Sequence, residues 1–134
     1  SRVHGSVPVA CIRGTVRAPC AQIESKHVAL IEKMVGEYKI PSNDKAYRVA
    51  VQYAISDGNT NDIFKQKRCN TCGGRKKKVK VQIELYDKQH LYLESMKTTF
   101  GMKSVDKALR CVLEYAETDG DRATIFSEKR CKNC

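Results

Sequence analysis

Two different spacings of apolar residues occur along this chain of 134 residues. From Val79 to Leu85 apolar and polar residues alternate, which is the period-two pattern of a half-buried β-strand. Four other stretches have the three-to-four-residue spacing of amphipathic helices. We predict helices over residues 25–38 and 42–56, and a second pair that begins at Asp87 and Ser104. The predicted core faces contain Val28, Ile31, Met34, Val35 and Tyr38; Ala46, Val49, Ala50, Tyr53 and Ala54; Leu91, Leu93, Met96 and Phe100; and Val105, Ala108, Leu109, Val112 and Ala116.

Residues that favour helix ends lie at the boundaries of these stretches. Ser25, Ser42, Asp87 and Ser104 precede the helical patterns, and the side chains of Ser and Asp accept hydrogen bonds from the first-turn N–H groups of a helix. Gly101 follows the third pattern, where a left-handed residue ends many helices. The sequence therefore predicts four separate helices.

One stretch of the chain is present twice. Residues 21–72 align without a gap on residues 83–134 at an offset of 62, and 18 of the 52 aligned pairs are identical. Two copies of a unit this long do not make a solenoid, so we predict a duplicated small domain whose copies pack as an intramolecular pseudo-dimer. We divide the chain into an extended basic arm (1–20), a first repeat (21–72), a basic linker (73–78) and a second repeat (79–134).

A strand followed directly by two helices resembles the ribbon-helix-helix family of DNA-binding proteins over residues 79–118, and more weakly over 22–56. The resemblance implies a mainly α-helical fold with a short β-ribbon, built from two strand-helix-helix repeats, whose ribbon enters the major groove. It implies that Lys80 and Gln82, and Glu84 after them, are the groove-facing side chains of the strand; Lys can reach guanine acceptors and Gln can pair with adenine. It also implies that the helix N-termini at Ser42 and Ser104 offer N–H groups to flanking phosphates.

The first copy departs from the family pattern. Its strand would lie at residues 17–23 and would contain Pro19, which cannot donate a ladder hydrogen bond. The residues that match Lys80 and Gln82 are Ala18 and Cys20. Asp44 and Asp106 place a carboxylate in the first turn of the second helix of each repeat, where a phosphate would bind.

The net charge of +10 is high for a chain of this size. Strongly basic proteins attract polyanions, so we predict nucleic acid, acidic lipid or an acidic protein surface as the partner. Two other interpretations stay open: the cationic run of the linker is only solvated, and the arm connects neighbouring subunits. The candidate polyanion-binding residues outside the second strand are Arg13, Arg17, Arg75, Lys76, Lys77 and Lys78.

The most specific chemical signal is a pair of C-x-x-C motifs, Cys69/Cys72 and Cys131/Cys134. This spacing presents two thiolates to one metal ion, and two such pairs complete a tetrahedral zinc site. We predict a structural Zn²⁺ ion bound by all four cysteines, which fits a reducing compartment. Alternatives are a disulfide or redox couple in each pair, metal shared with a partner chain, an iron–sulfur cluster, or thiols without a ligand.

No catalytic arrangement is evident in the sequence. His4, His27 and His90 are far apart along the chain and form no triad or catalytic metal motif; we expect His27 and His90 to be exposed. No phosphate-binding glycine loop has the required strand-to-helix context. We therefore predict a binding or structural protein rather than an enzyme, with redox chemistry at the C-x-x-C pairs as a third interpretation.

Two functions of different classes follow from these patterns. The first is a zinc-stapled, ribbon-helix-helix-like module that binds a polyanion, most simply duplex DNA. The second is an accessory subunit of a large complex, such as an organellar ribosome or a photosystem, which uses the fold to dock on proteins. Since the chain begins at Ser1, we expect that a preceding segment was removed; loss of a transit peptide would place the protein in an organelle matrix or stroma, and otherwise we expect nucleus or cytosol. No apolar run approaches the length of a membrane span.

Overall fold

The computed structural model describes residues 16–17, 20–56, 60, 63–64, 78–118 and 123–128. As the sequence predicts, this part of the chain is mainly α-helical with a short antiparallel two-stranded ribbon. The elements, in chain order, are β1 (Val16–Arg17), β2 (Cys20–Glu24), α1 (Ser25–Tyr38), α2 (Asn43–Ser56), β3 (Lys78–Gln82), β4 (Leu85–Tyr86), α3 (Asp87–Thr99), α4 (Val105–Thr118) and a π-helical segment (Thr124–Glu128).

The ribbon pairs the start of the first repeat with the start of the second. β2 is antiparallel to β3, with Cys20 opposite Gln82. β1 is antiparallel to β4 in the same register, with Val16 opposite Tyr86. The strand of the first copy therefore forms on both sides of residues 18 and 19, despite the presence of Pro19.

The elements from β1 to α2 are here called the first half and those from β3 to α4 the second half; both have the order strand, strand, helix, helix. β1 and β3 begin at Val16 and Lys78, and α1 and α3 begin at Ser25 and Asp87. α2 and α4 are both 14 residues long and begin at residues 43 and 105. Each of these starts differs from its counterpart by 62 residues, the offset of the sequence repeat.

Both halves contribute to one apolar core behind the ribbon. The predicted core faces are buried or pack against buried residues with one exception, Leu91, which is 49% exposed. The prediction for Leu91 is wrong because it lies two positions, about 200° of helical turn, from Leu93. The inward positions of α3 are instead Gln89 and Leu93.

Aromatic side chains that follow α2 and α4 pack across the two halves. Phe64 stacks on Phe100 at a centroid distance of 5.7 Å and contacts Tyr92 at 6.0 Å. Phe126 stacks on Tyr38 at 6.5 Å. Phe64 follows α2 but packs against α3 and its C-terminal end, whereas Phe126 follows α4 but packs against α1. The phenylalanine that follows the second helix of each half is therefore buried against the other half.

Two of the predicted N-cap residues are wrong by one position, although both helices begin where predicted. Ser25 and Asp87 are the first residues of α1 and α3, and the N-cap residues are Glu24 and Tyr86, which are still extended as the last residues of the ribbon strands. Gly101 has φ 64°, which confirms the left-handed conformation predicted after α3. The turn from strand to helix thus needs no connecting residue.

A cavity of about 70 Å³ lies between the ribbon and the second-half helices, where Ala21 and Leu109 form part of its wall. Ile83, which is 62 positions from Ala21, is part of the same wall. The small side chain of Ala21 gives a physical reason for the unfilled space.

Candidate nucleic-acid interface

The ribbon has one exposed face, formed by alternate residues of β2 and β3. Cys20, Gln22, Lys80 and Gln82 are exposed and are here called the ribbon face. Gln22 pairs with Lys80 across the ladder, next to the central Cys20–Gln82 pair. The residues between them turn toward the helices; Ile23, for example, is fully buried. Lys80 and Gln82 thus lie side by side with two residues of the first copy on one solvent-facing surface.

A pair of side chains on α2 holds the second-half strand. The carboxylate of Asp44 accepts a hydrogen bond from the backbone N–H of Glu84 at 3.1 Å. Arg48 donates to the carbonyl oxygen of Glu84 at 3.2 Å and to its carboxylate at 3.1 Å. These bonds satisfy the backbone of Glu84 between β3 and β4, where the ladder is interrupted.

The equivalent pair on α4 holds the first-half strand. Asp106 accepts a hydrogen bond from the N–H of Gln22 at 3.2 Å, and Arg110 donates to the carbonyl oxygen of Gln22 at 2.7 Å. Each of these residues lies 62 positions from its counterpart in the first pair. The two first-turn carboxylates, expected to lie where phosphate would bind, therefore have a structural role: each fixes the strand of the other half.

Ser42 and Ser104 cap α2 and α4 as predicted. The hydroxyl of Ser42 accepts a hydrogen bond from the N–H of Lys45 at 3.1 Å, and that of Ser104 accepts one from Lys107 at 3.3 Å. These N–H groups are satisfied within the helix, so only the earlier N–H groups of each first turn can serve an external phosphate.

The other candidate cations lie mainly outside the described residues. Arg13, Arg75, Lys76 and Lys77 are outside them, as are Cys69, Cys72, Cys131 and Cys134 of the predicted zinc site. Lys78 is half-buried at the start of β3, and Arg17 is in β1 opposite Leu85. The described residues contain 13 Lys or Arg and 11 Asp or Glu, a net charge of +2, so the other 12 Lys or Arg and 4 Asp or Glu carry +8. Most of the excess positive charge therefore lies in the segments around the described fold.

A partly buried ionic cluster joins α1 to α4. His27 is 1% exposed, and its Nε2 lies 3.0 Å from Oε1 of Glu114. Lys26 contacts the same carboxylate at 2.7 Å and Glu117 at 3.4 Å. The prediction that His27 is exposed is wrong, and so is that for His90, whose side chain is 13% exposed.

The cluster shifts the titration of its carboxylate and its ammonium group. Burial alone would raise the pKa of Glu114, but hydrogen bonds from Lys26 and His27 and the charges of both outweigh it, so its pKa is lowered. Burial likewise disfavours charged Lys26, yet the hydrogen bonds and charges of Glu114 and Glu117 raise the pKa of Lys26. Both groups are thereby stabilised in their ionised forms.

Among the described residues, this cluster also has the donor types that bind divalent metals. One ligand atom each of Glu24, His27 and Glu114 lie within 4.8 Å of one another. However, the Lys26 ammonium is already in contact with Glu114 and lies 3.9 Å from Glu24. The arrangement is that of an ion-pair network in which a lysine supplies the cation.

The second half has a neutral pair at the equivalent place. Gln89, 2% exposed, donates from Nε2 to Oε1 of Gln52 at 3.4 Å and to the carbonyl oxygen of Arg48 at 3.2 Å. These two glutamines lie 62 residues from His27 and Glu114 in opposite directions, so each pair joins one half to the other. The sequence does contain a signal for both pairs. Their residues lie on the helix face that carries the apolar stripe, where polar residues are not expected.

Comparison with models of known protein families, with curated proteins and with solved structures finds no match to this chain. The ribbon-helix-helix resemblance therefore stays a prediction made from the sequence pattern. In the part of the chain that the structure describes, no helix is both long and apolar enough to cross a membrane.

Proposed function

We propose that this protein is a non-enzymatic binding module of ribbon-helix-helix-like architecture, which binds a polyanion, most simply duplex DNA, through the ribbon face. The observation that carries this proposal is the row of exposed polar side chains, Gln22, Lys80 and Gln82, on an antiparallel ribbon backed by helices. A two-stranded ribbon fits the width of the major groove, and Lys and Gln suit the acceptors and donors on base edges.

The proposal includes an intramolecular pseudo-dimer. It is supported by the common offset of the elements and by the ladder register, which places Cys20 opposite its own counterpart Gln82. The reciprocal contacts add to this support, because Asp44 and Asp106 each bind the strand of the other half. A pair of two-fold-related chains would make contacts of this kind twice.

Positive charge outside the described residues would supply the nonspecific part of the affinity. Contacts with phosphates dominate binding to DNA and weaken steeply with salt. The ribbon face contributes little net charge, so we expect it to supply sequence preference, while the basic segments bring the polyanion close.

We further propose a four-thiolate zinc site at Cys69, Cys72, Cys131 and Cys134, on the basis of their spacing. The two motifs begin five residues after Phe64 and Phe126, which are both fully buried. Metal analysis of the purified chain should give one Zn²⁺ per molecule, and Cys131→Ser should lower this value. The site would be excluded if the purified chain contained no metal and if addition of Zn²⁺ left its free energy of unfolding unchanged.

The deciding experiment measures fluorescence anisotropy with labelled duplex DNA, single-stranded DNA and structured RNA over a series of salt concentrations. We expect tight duplex binding with a steep salt slope and a sequence preference that survives at high salt. Lys80→Ala should reduce that preference more than it reduces overall affinity. The matched control is Lys33→Ala, which removes the same charge from an exposed position on α1. Weak binding that is indifferent to sequence and vanishes by physiological salt would reject the proposal.

A second candidate is an accessory subunit that docks on other proteins within a large complex. The net charge of only +2 on the described residues favours this candidate, because the ribbon itself then has little attraction for phosphate. The same titrations separate the two functions, since a docking subunit has no reason to distinguish one duplex sequence from another.

A further inference from the structure

The ribbon face has two ends that differ in chemistry. Its centre is the Cys20–Gln82 pair, which joins equivalent positions of the two halves. On one side the ladder continues with the Gln22–Lys80 pair. On the other side β3 is followed by Glu84, the counterpart of Gln22. Any difference between Gln22 and Glu84 is therefore a difference between the two ends.

The end that contains Gln22 and Lys80 has groups that suit base recognition. Both side chains are exposed and lie directly opposite each other. An amide offers both a donor and an acceptor, and an ammonium offers donors to guanine. Below them, Asp106 and Arg110 bond the backbone of Gln22, so their opposite charges lie together and Lys80 leaves this end with a net positive charge. This end is polar and cationic.

The end that contains Glu84 lacks those groups. The carboxylate of Glu84 faces Arg48 at 3.1 Å, and the same guanidinium lies over the ring of Tyr86 at 5.3 Å. A carboxylate has no donor and repels phosphate. The charge on Arg48 is thus offset by Glu84, and the carboxylate at this end offers no donor to a base.

We propose that the ribbon reads duplex DNA from one end only, so that its preferred site is a single non-palindromic half-site read by Gln22, Lys80 and Gln82. This inference rests on the proposed function. A dimer of identical chains reads two half-sites related by symmetry, which gives a palindromic site. Here the backbone positions repeat but the reading side chains do not.

Selection of bound sequences from a randomised duplex library, with the full chain as bait, tests the proposal. We expect sequence preference at three or four consecutive base pairs and none at the symmetry-related positions. Lys80→Ala and Gln22→Ala should each reduce that preference about 5- to 100-fold, the range for loss of one good base contact. Lys33→Ala, on the exposed surface of α1, should leave it unchanged.

A gain-of-function variant makes the test independent of lost stability. Glu84→Gln introduces, at the end of the ribbon face that contains Glu84, the amide already present at position 22. The new side chain still has an oxygen that can accept a hydrogen bond from Arg48. We expect a preference to emerge at the symmetry-related base pairs, with circular dichroism spectra and melting curves close to those of the natural chain.

The outcomes separate this inference from the function on which it rests. A palindromic selected site would overturn the one-ended contact while the DNA-binding function stands. A half-site that is insensitive to Lys80→Ala and Gln22→Ala would show that other residues read it and would overturn the inference as well. Failure to select any duplex would remove both.

Discussion

Two polar pairs lie at equivalent places between the halves of the molecule, but one pair is ionisable and the other is not. His27 and Glu114 form part of a charged cluster with Lys26, whereas Gln89 and Gln52 form a neutral amide contact. Both pairs join a first helix of one half to a second helix of the other. The position requires a hydrogen bond, and either chemistry can provide it.

Other contacts between the halves use the same residue type in both. Asp44 and Asp106 are identical, and so are Phe64 and Phe126, because each must satisfy a strand N–H or fill the same aromatic site. The comparison indicates which positions define the architecture and which are free to differ. Four predictions test that distinction, from the largest expected effect to the smallest.

Removal of an aromatic anchor should have the largest effect. Phe64→Ala deletes a fully buried ring that contacts both Tyr92 and Phe100, so we expect a loss of about 3–5 kcal/mol in the free energy of unfolding. Phe126→Ala removes a ring with a longer contact to Tyr38 and should cost somewhat less. Urea denaturation of both variants measures the difference. Losses below 1 kcal/mol for both would mean that these residues do not link the halves.

Removal of a strand contact should have an intermediate effect. Asp44→Ala leaves the N–H of Glu84 without its side-chain acceptor and should destabilise by about 1–3 kcal/mol. Asp106→Ala should do the same to Gln22. Glu37→Ala, which removes the same charge from an exposed site on α1, serves as the control. If all three variants unfold alike, the contacts with the strands contribute nothing beyond charge.

The ionisable carboxylate of Glu114 should make stability depend on pH in a way that the neutral pair does not. Since the pKa of Glu114 is lowered in the folded state, its ionised form stabilises the fold above the ordinary carboxyl pKa. That contribution disappears as the pH falls through the lower folded-state value. We expect Glu114→Gln to cost about 1 kcal/mol at pH 7, because solvent screens this half-buried site.

The measurement is urea denaturation of the natural chain and Glu114→Gln at intervals from pH 7 to pH 3, with Glu37→Gln as the control for an exposed carboxylate. The gap between the natural chain and Glu114→Gln should narrow below about pH 4.5, near the ordinary carboxyl pKa. Curves that stay parallel over the whole range would show that this carboxylate titrates normally.

Filling the cavity should have the smallest effect, and it should stabilise. Ala21→Val adds two carbons beside an unfilled volume of about 70 Å³ at a strand position that favours branched side chains. We expect a gain of about 0.5–1 kcal/mol, seen as a higher melting temperature. Ile83→Val removes a carbon from another side chain in the wall of the same cavity and should instead lose about 1 kcal/mol. A lower melting temperature for Ala21→Val would indicate overpacking.

The sequence predicts most of the backbone and less of the chemistry. Helical spacing and the caps Ser42 and Ser104 indicate the helices correctly, because amphipathic stripes and cap hydrogen bonds are local properties. The first-copy strand was obscured by Pro19, although its neighbours pair with the second-half strand. Local patterns do not reveal what a strand pairs with, so the register had to come from the structure.

The buried polar pairs show the same limit. His27 precedes Leu30, Ile31 and Met34 by three, four and seven residues, which is the spacing of one helical face. We expect it to be exposed because it lies near the start of a helix, and its partner Glu114 is 87 residues away. Only the packing of α1 on α4 brings these two residues together, and only the fold shows that the charge on Glu114 is compensated.

The reciprocal bonds from Asp44 to Glu84 and from Asp106 to Gln22 lie within one polypeptide. Two separate chains held by such bonds would come apart on dilution, and their stability would follow protein concentration. Linked halves instead meet at a fixed effective concentration set by the connecting segment. Linkage also means that a mutation changes one half alone, whereas in a dimer of identical chains every mutation is present twice. Because the two copies are covalently connected, their sequences can diverge while the halves stay associated.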